Sequence, residues 1–259
     1  MFEVGAYFVG LAAAAGLLTL VWVVSLIRKD ASLVDPFWSL AFIALGVTYR
    51  FASDTEYGAR PAVVLGLLLI WGIRLSAYLF WRNAGKGEDY RYQAMRERQG
   101  PNFPIKSLFT VFWLQAILAW IVSLPLLAAV DGTDPLGVFD YLGMAFWAIG
   151  IFFETAGDFQ LTRFKANPAN QGKVMDSGVW RFTRHPNYFG DFMVWWGLFL
   201  IAADAGGWWS AYGPIVMSVL LMRVSGVTLL ERKLTKTRSG YEQYVRTTNA
   251  FFPGPKKRT

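Results

Sequence analysis

Residues 154–191 read ETAGDFQLTRFKANPANQGKVMDSGVWRFTRHPNYFGD. The run opens with Glu154 and Asp158 inside an apolar segment, crosses a polar loop, and enters a second apolar segment at Asp191. Carboxylates are costly in apolar surroundings, and ionisable groups within a membrane are rare and usually functional. The intervening loop carries Arg163, Lys165, Asn167, Asn170, Lys173, Arg181 and Arg184. Two carboxylates facing a basic loop read as an anionic-cofactor site at a membrane face.

Working outward, the chain of 259 residues is 54% hydrophobic and only 17% charged. Soluble domains hold about 25% charged residues. An all-α integral membrane bundle is the reading, as one membrane domain over residues 1–259. Residues 1–135 would enclose a substrate, and 136–259 with the tail would hold a cofactor. The net charge of +7 sits in short loops between apolar runs, so membrane topology explains it better than nucleic acid does. The chain has no cysteine and a single histidine, which excludes disulfides, thiolate chemistry and multi-histidine metal sites. No metal is expected. Glu3 and the missing basic n-region make the first apolar run a retained span rather than a cleaved signal.

A span takes roughly 20 apolar residues. Seven are predicted, at 6–27, 32–50, 61–81, 108–130, 137–161, 191–203 (weakening toward Trp208) and 209–230. Connections alternate in basic charge, from Arg28 and Lys29 after the first span to Arg232, Lys233 and Lys236 after the last. Basic loops stay cytoplasmic, so the N-terminus is expected outside and the C-terminus in the cytoplasm. On that topology Asp35, Arg74, Gln115, Glu154, Asp158, Asp191, Arg223 and Glu231 all lie toward the inner face. Charges of both signs there suggest one shared pocket.

Glu154 and Asp158 are four residues apart, hence on one helix face. They suit ribose hydroxyls or a carboxamide, or else a structural pairing with Lys165, Lys173 or Arg223. Arg163, Lys165, Lys173, Arg181 and Arg184 suit phosphates, or else anionic lipid. In Arg184-His185-Pro186-Asn187-Tyr188 the proline bends the chain at His185 and sets Asn187 and Tyr188 at a helix entry. His185 is a candidate proton donor. Asp35 is a candidate buried acid, and Glu88 to Tyr92 form either a lid or a solvated loop. Tyr241, Tyr244, Phe251 and Phe252 could wall in a planar ring or anchor at the interface.

The run from Gly178 to Asp191, with Glu154 and Asp158 before it and Leu230-Glu231, Tyr241, Tyr244 and Pro253 after it, resembles the C-terminal part of the steroid 5-alpha-reductase family. Its bacterial members of undefined substrate are the most similar. The Arg-His-Pro-Asn-Tyr run is also similar to isoprenylcysteine carboxyl methyltransferases. The first resemblance implies NADPH bound by the C-terminal spans and an apolar substrate among the N-terminal ones. Asp158, Lys173, Asn187 and Asp191 then fall at cofactor positions, while Glu154 stands where animal enzymes carry asparagine. Val34-Asp35-Pro36 lies near the place of the family's catalytic glutamate, and Trp71, Tyr78 or Tyr90 could stand in for its tyrosine.

The expected activity is NADPH-dependent reduction of an activated C=C bond in a lipid-like enone, such as a 3-oxo-Δ4 steroid. Asp35, protonated, or Tyr90 would stabilise the enolate oxygen. Glu154, Asp158, Arg163, Lys165, Lys173, Arg184, His185, Asn187, Tyr188, Asp191, Arg223, Glu231, Tyr241 and Tyr244 would hold the cofactor. The alternatives are an S-adenosylmethionine-dependent lipid methyltransferase and a non-enzymatic lipid-binding protein. The expected setting is a monomer in the bacterial inner membrane, taking its hydrophobic substrate from the bilayer.

Overall fold

A computed structural model describes residues 4–55, 58–224, 231, 238 and 240–257. Among the described residues there are helices and turns but no strand. Five stretches are long and apolar enough to cross a membrane: Val4–Arg28, Ala31–Phe51, Ala59–Asn83, Tyr90–Val122 and Val138–Ala166. The protein is thus a helical membrane protein. It divides into two compact units, residues 1–140 with 201–213, and residues 141–200 with 214–259. The sequence suggested a change of role near residue 135. The boundary between units falls after 140, and residues 201–213 group with the first unit.

In the first unit α1 (Val4–Arg28), α2 (Val34–Phe51) and α3 (Ala59–Asn83) pack in order along the chain. Small residues on facing sides set the close α2–α3 approach. A Cβ added at Gly46 would lie 2.6 Å from Leu68 Cδ2, and one at Gly72 2.8 Å from Ile43 Cδ1. Ser39 Oγ donates to the Gly72 carbonyl at 2.9 Å, so a buried hydroxyl is satisfied between helices. Phe42, Leu45, Leu68 and Trp71 fill the core, while Leu20, Ile27, Ile70 and Ile73 point outward, as lipid-facing side chains do.

The fourth expected span differs most from its prediction. A polar helix α4 (Tyr90–Gln99) leads through α5 (Phe103–Ser107) and a π-helical turn Leu108–Trp113 into α6 (Leu114–Val122). A separate α7 (Leu124–Ala129) follows. Pro125, which lacks an amide hydrogen, ends the continuous ladder, and the chain restarts at Ser123. The fifth expected span is α8 (Val138–Ala166). The sixth corresponds to α9 (Pro186–Asp204), which is not among the five. The seventh begins with α10 (Tyr212–Val219) and a π-helical turn Leu220–Val224; its residues 225–230 lie outside the described ones. A short helix α11 (Tyr241–Thr247) belongs to the tail.

Three helix ends of the first unit meet at one buried arginine. Arg60, in the first turn of α3, is fully buried. Its Nε and Nη2 donate to the two oxygens of Asp140 at 2.9 and 2.8 Å, and Nη2 also donates to Asp204 at 2.8 Å. Asp140 accepts the Gly137 amide at 2.8 Å, and Asp204 accepts the Phe139 amide at 3.1 Å. The carboxylates therefore cap the start of α8 while they neutralise the arginine. α9 ends at Asp204 because Gly206 turns left-handed, φ +78, and the Gly206 and Gly207 amides donate back to the Ala203 and Ala202 carbonyls at 2.9 and 2.8 Å.

In the second unit α8 and α9 lie backbone against backbone. A Cβ at Gly150 would sit 2.6 Å from the Gly190 carbonyl oxygen, and one at Gly197 2.6 Å from that of Gly143. Gly143, Gly150 and Gly157 recur every seven residues, about two helical turns, so they form one seam. Such seams let membrane helices approach closely. Here the seam brings the start of α9 against the face of α8 that carries Glu154.

Candidate functional site

The second unit holds the stretch from Glu154 to Asp191. Glu154 and Asp158 are buried on α8, 2% and 7% exposed. Gly190 makes room for the first: a Cβ there would lie 2.7 Å from Glu154 Cγ. Gly157 gives the next turn its contact with Pro186 and Asn187. Asp191 is buried on α9. The glycines are thus what allows a carboxylate-bearing helix face to be covered by another helix.

The loop after α8 is stitched back onto that helix. Asn167 accepts the Ala169 amide through its side chain at 3.0 Å, and Asn170 Nδ2 donates to the Phe164 carbonyl at 3.0 Å. Gly178 has φ +60, and any Cβ there would collide with Gln160. Gln160 Oε1 instead accepts the Val179 amide at 3.0 Å. Trp180 Nε1 donates to the Gly157 carbonyl at 3.1 Å. Position 178 therefore requires glycine for both conformation and space.

Arg184 is a structural hub. Its Nε donates to Glu231 Oε1 at 2.7 Å, and Nη1 donates to the Thr248 and Val245 carbonyls at 2.6 and 3.1 Å. Its backbone amide donates to the Asn249 carbonyl at 2.9 Å. His185 Nε2 meets the same Glu231 oxygen at 3.1 Å and stacks parallel on Tyr188, ring centroids 5.6 Å apart. Among the described residues, His185 Nδ1 is buried without a partner. Burial pushes the Glu231 carboxyl up, but the hydrogen bonds from His185 and Arg184 outweigh that and bring it down to about 2. Tyr244 O–H donates to the Trp180 carbonyl at 2.5 Å. Burial, with the Glu231 charge nearby, pushes the Tyr241 phenol up to about 12.

These contacts enclose a cavity of about 310 Å³. Leu161, Phe164, Val174, Met175 and Trp180 give it apolar walls, and Tyr241 and Tyr244 add phenols. Asn167, Asn170 and Gln171 contribute amides; Lys165, Lys173, Arg184 and Arg238 contribute positive charge. Among the described residues no carboxylate lines it. A flat aromatic group with attached anionic oxygens matches this lining.

Of the residues expected from sequence, Lys165, Lys173, Arg184, Tyr241 and Tyr244 come together around the cavity. Glu154, Asp158, Asp191, His185, Asn187, Tyr188 and Glu231 do not line it. Glu154, Asp158, Asp191 and His185 are buried at the α8–α9 contact and beside Arg184, and Asn187, Tyr188 and Glu231 are half-buried next to them. Arg163 and Arg223 are exposed, the first on α8 and the second on the π-helical turn, and neither lines the cavity. Trp180 and Arg238 were missed. Trp180 sits between Gly178 and Arg181 and could have been found; Arg238 is one of several basic tail residues, and nothing local sets it apart from Arg232, Lys233 and Lys236.

In the first unit Asp35 is at the centre of a polar cluster. Its Oδ2 accepts from Arg91 Nη2 at 2.6 Å, and its Oδ1 accepts from the Tyr92 hydroxyl at 2.7 Å. The tyrosine on Asp35 is thus Tyr92, not Tyr90, which is 56% exposed. Asp89 caps α4 by accepting the Arg91 amide at 2.9 Å, so the helix starts at Tyr90. Two residues along a helix turn the side chain by roughly 200°, which sends position 92 inward when 90 faces out. Both Asp35 oxygens are acceptors, and the one hydrogen of the Tyr92 hydroxyl is donated to Asp35. Glu88 accepts the Ala31 amide at 2.8 Å and pairs with Arg96 at 2.8 Å. Residues 88–92 are therefore a docked segment rather than a solvated loop.

The matched relatives name no activity. An uncharacterized protein of Schizosaccharomyces pombe (strain 972) is 24% identical over 280 residues, covering 95% of this chain and 79% of that protein. No solved structure matches the chain. Residues 21–248 match a family described as a protein of unknown function, DUF1295. That match spans most of both units, and the chain therefore belongs to the DUF1295 family, which includes steroid 5-alpha-reductase-like proteins.

Proposed function

We propose that the protein is an NADPH-dependent reductase of an activated C=C bond in a lipid-like enone. The observation that carries this reading is the cavity of the second unit, walled by aromatic rings, lined by four cations and lacking a carboxylate among the described residues. Phosphates suit Lys165, Lys173 and Arg238. The guanidinium of Arg184 is largely committed to the protein itself and positions the wall. An adenine suits Trp180, Tyr241 and Tyr244. S-adenosylmethionine carries a sulfonium cation and no phosphate, so this lining repels where NADPH would be attracted, and the methyltransferase reading is set aside.

When bound, NADPH supplies a hydride. In the first unit Tyr92 is the candidate proton donor to the carbonyl oxygen on which charge develops, its phenolic hydrogen turning from Asp35 Oδ1 to that oxygen. Arg91 keeps Asp35 oriented as the acceptor. The proposal includes the topology: seven spans, N-terminus outside and C-terminus cytoplasmic, so that the cavity faces the cytosolic cofactor pool of a bacterial inner membrane. The substrate enters from the bilayer, and the working unit is a monomer.

Thermal unfolding of the detergent-purified chain with NADPH, NADH and S-adenosylmethionine tests the reading. Ligand at a hundred times its Kd stabilises by roughly 2.7 kcal/mol. A rise with NADPH that Lys173→Glu and Arg238→Glu abolish supports the proposal. A rise with S-adenosylmethionine alone, or none with NADPH, refutes it.

A further inference from the structure

The second unit carries a surface feature that the cofactor reading leaves unused. Two phenylalanines stand out from an otherwise polar region: Phe182 is 42% exposed and Phe252 58% exposed. They are brought together by the chain, because the Gly254 amide donates to the Phe182 carbonyl at 3.0 Å. Phe252 also packs edge-on against Phe192 of α9, centroids 5.6 Å apart. Its place at the entry of that helix is therefore fixed rather than accidental. Exposing two large rings to water is unfavourable, and here they lie at the start of a largely apolar helix.

Cations surround them. Arg181 lies over the Phe182 ring with its guanidinium 5.5 Å from the centroid. Lys256 and Lys257 are exposed, and the Lys257 amide donates to the Thr247 carbonyl at 2.9 Å, which holds this stretch of tail in place. Asp176 answers Lys256 only at 3.4 Å, with both side chains well exposed. Such a pair contributes little, so the patch remains positive.

We infer that Arg181, Phe182, Phe252, Lys256 and Lys257 form a docking site for the headgroup of an anionic phospholipid. The phenylalanine rings enter the level of the glycerol and upper acyl chains, and the cations meet the phosphate. This does not depend on the reductase reading, since none of the five residues lines the cavity.

Native mass spectrometry of the full chain released from detergent tests it, with phosphatidylglycerol, phosphatidylcholine and inorganic phosphate as probes. Phosphatidylglycerol should be retained about a hundredfold better than phosphatidylcholine, at roughly fivefold per cation, and the preference should fall as salt is raised. The triple variant R181Q/K256Q/K257Q should lose roughly fivefold per cation, about a hundredfold in all, against phosphatidylglycerol alone. Phe252→Ser should weaken both lipids. Equal retention of the two lipids by the natural chain, or a preference insensitive to salt, overturns the inference even if the triple variant fails to fold. A folded triple variant with unchanged preference would assign the lipid to the cavity cations instead and also overturns it. Displacement of the lipid by millimolar phosphate would make this a soluble-anion site and does the same.

Discussion

Replacing Arg60 with methionine, which keeps most of its volume, should be among the most damaging single changes in the first unit. The guanidinium makes three short hydrogen bonds to Asp140 and Asp204, at 2.9, 2.8 and 2.8 Å. At an effective dielectric of about 20, each of the two charge pairs, in contact near 2.8 Å, is worth about 6 kcal/mol of Coulomb attraction, which desolvation of the three charges largely offsets. The substitution removes the attraction and leaves the desolvation. Asp140 has no exposed surface, and its carboxylate would face that of Asp204 with nothing between them. Orphaning a buried charge in this way costs about 3–5 kcal/mol. At roughly 2–4 °C per kcal/mol for a chain of this size, Tm should fall by about 6–20 °C. The companion variant R60M/D140N/D204N removes all three charges. Its asparagine carbonyls can still accept the Gly137 and Phe139 amides that the carboxylates accept now. Most of the lost stability should return. The assay is heating of detergent-purified protein followed by size exclusion. If R60M unfolds within about 2 °C of the natural chain, or if the triple variant is worse than the single one, the clasp argument fails.

Other predictions concern the second unit and the polar cluster on Asp35. Gly190→Ala puts a Cβ 2.5 Å from the Gly150 carbonyl oxygen, so it should cost about 1–3 kcal/mol in thermal unfolding, whereas Gly66→Ala, where a Cβ meets nothing, should be neutral. Glu231 is held down to about 2 in the fold against an ordinary 4.5. Its contribution is therefore complete above pH 4.5 and lost as pH falls toward 2, and Glu231→Gln should flatten the stability profile in that window. Tyr92→Phe should lower enone reduction by about 10²–10⁴-fold with little effect on NADPH binding. Tyr90→Phe should stay within twofold in the same assay, and the reverse ranking would return the proton-donor role to Tyr90.

Much of the helical plan was legible because it rests on local composition. The apolar runs at 6–27, 32–50 and 61–81 lie within the helical stretches found, and 137–161 does so from Val138 on, since each is long and continuous. The break at Ser123 was less visible, although Pro125 marks it. Pairings between distant residues left no local trace. Asp35 meets Tyr92 across 57 positions, and Arg60 meets Asp140 across 80; nothing in either neighbourhood names its partner. The choice of Tyr90 over Tyr92 required knowing where α4 starts, which Asp89 decides by capping it. Basic residues of the quoted run led to the cavity, but the role of Arg184 did not follow from its charge, because its donors are taken up by Glu231 and by tail carbonyls. The seven-residue glycine spacing on α8 was open to view and meaningful only once α9 lay against it.

The arginine clasp also constrains how the chain is made. Asp140 follows Arg60 by 80 positions and Asp204 follows it by 144. At roughly 5–20 residues per second, the ribosome needs about 4–16 s to deliver the first carboxylate and about 7–29 s to deliver the second. During that interval Arg60, in the first turn of α3, lacks the carboxylates that hold it in the finished fold. Nascent chains stalled before residue 140 should consequently be held back from lipid or handed to quality-control proteases, and those extending past 204 should be released. The timing of synthesis thus becomes part of the fold, with the last turn of α9 acting as the signal that the first unit is complete.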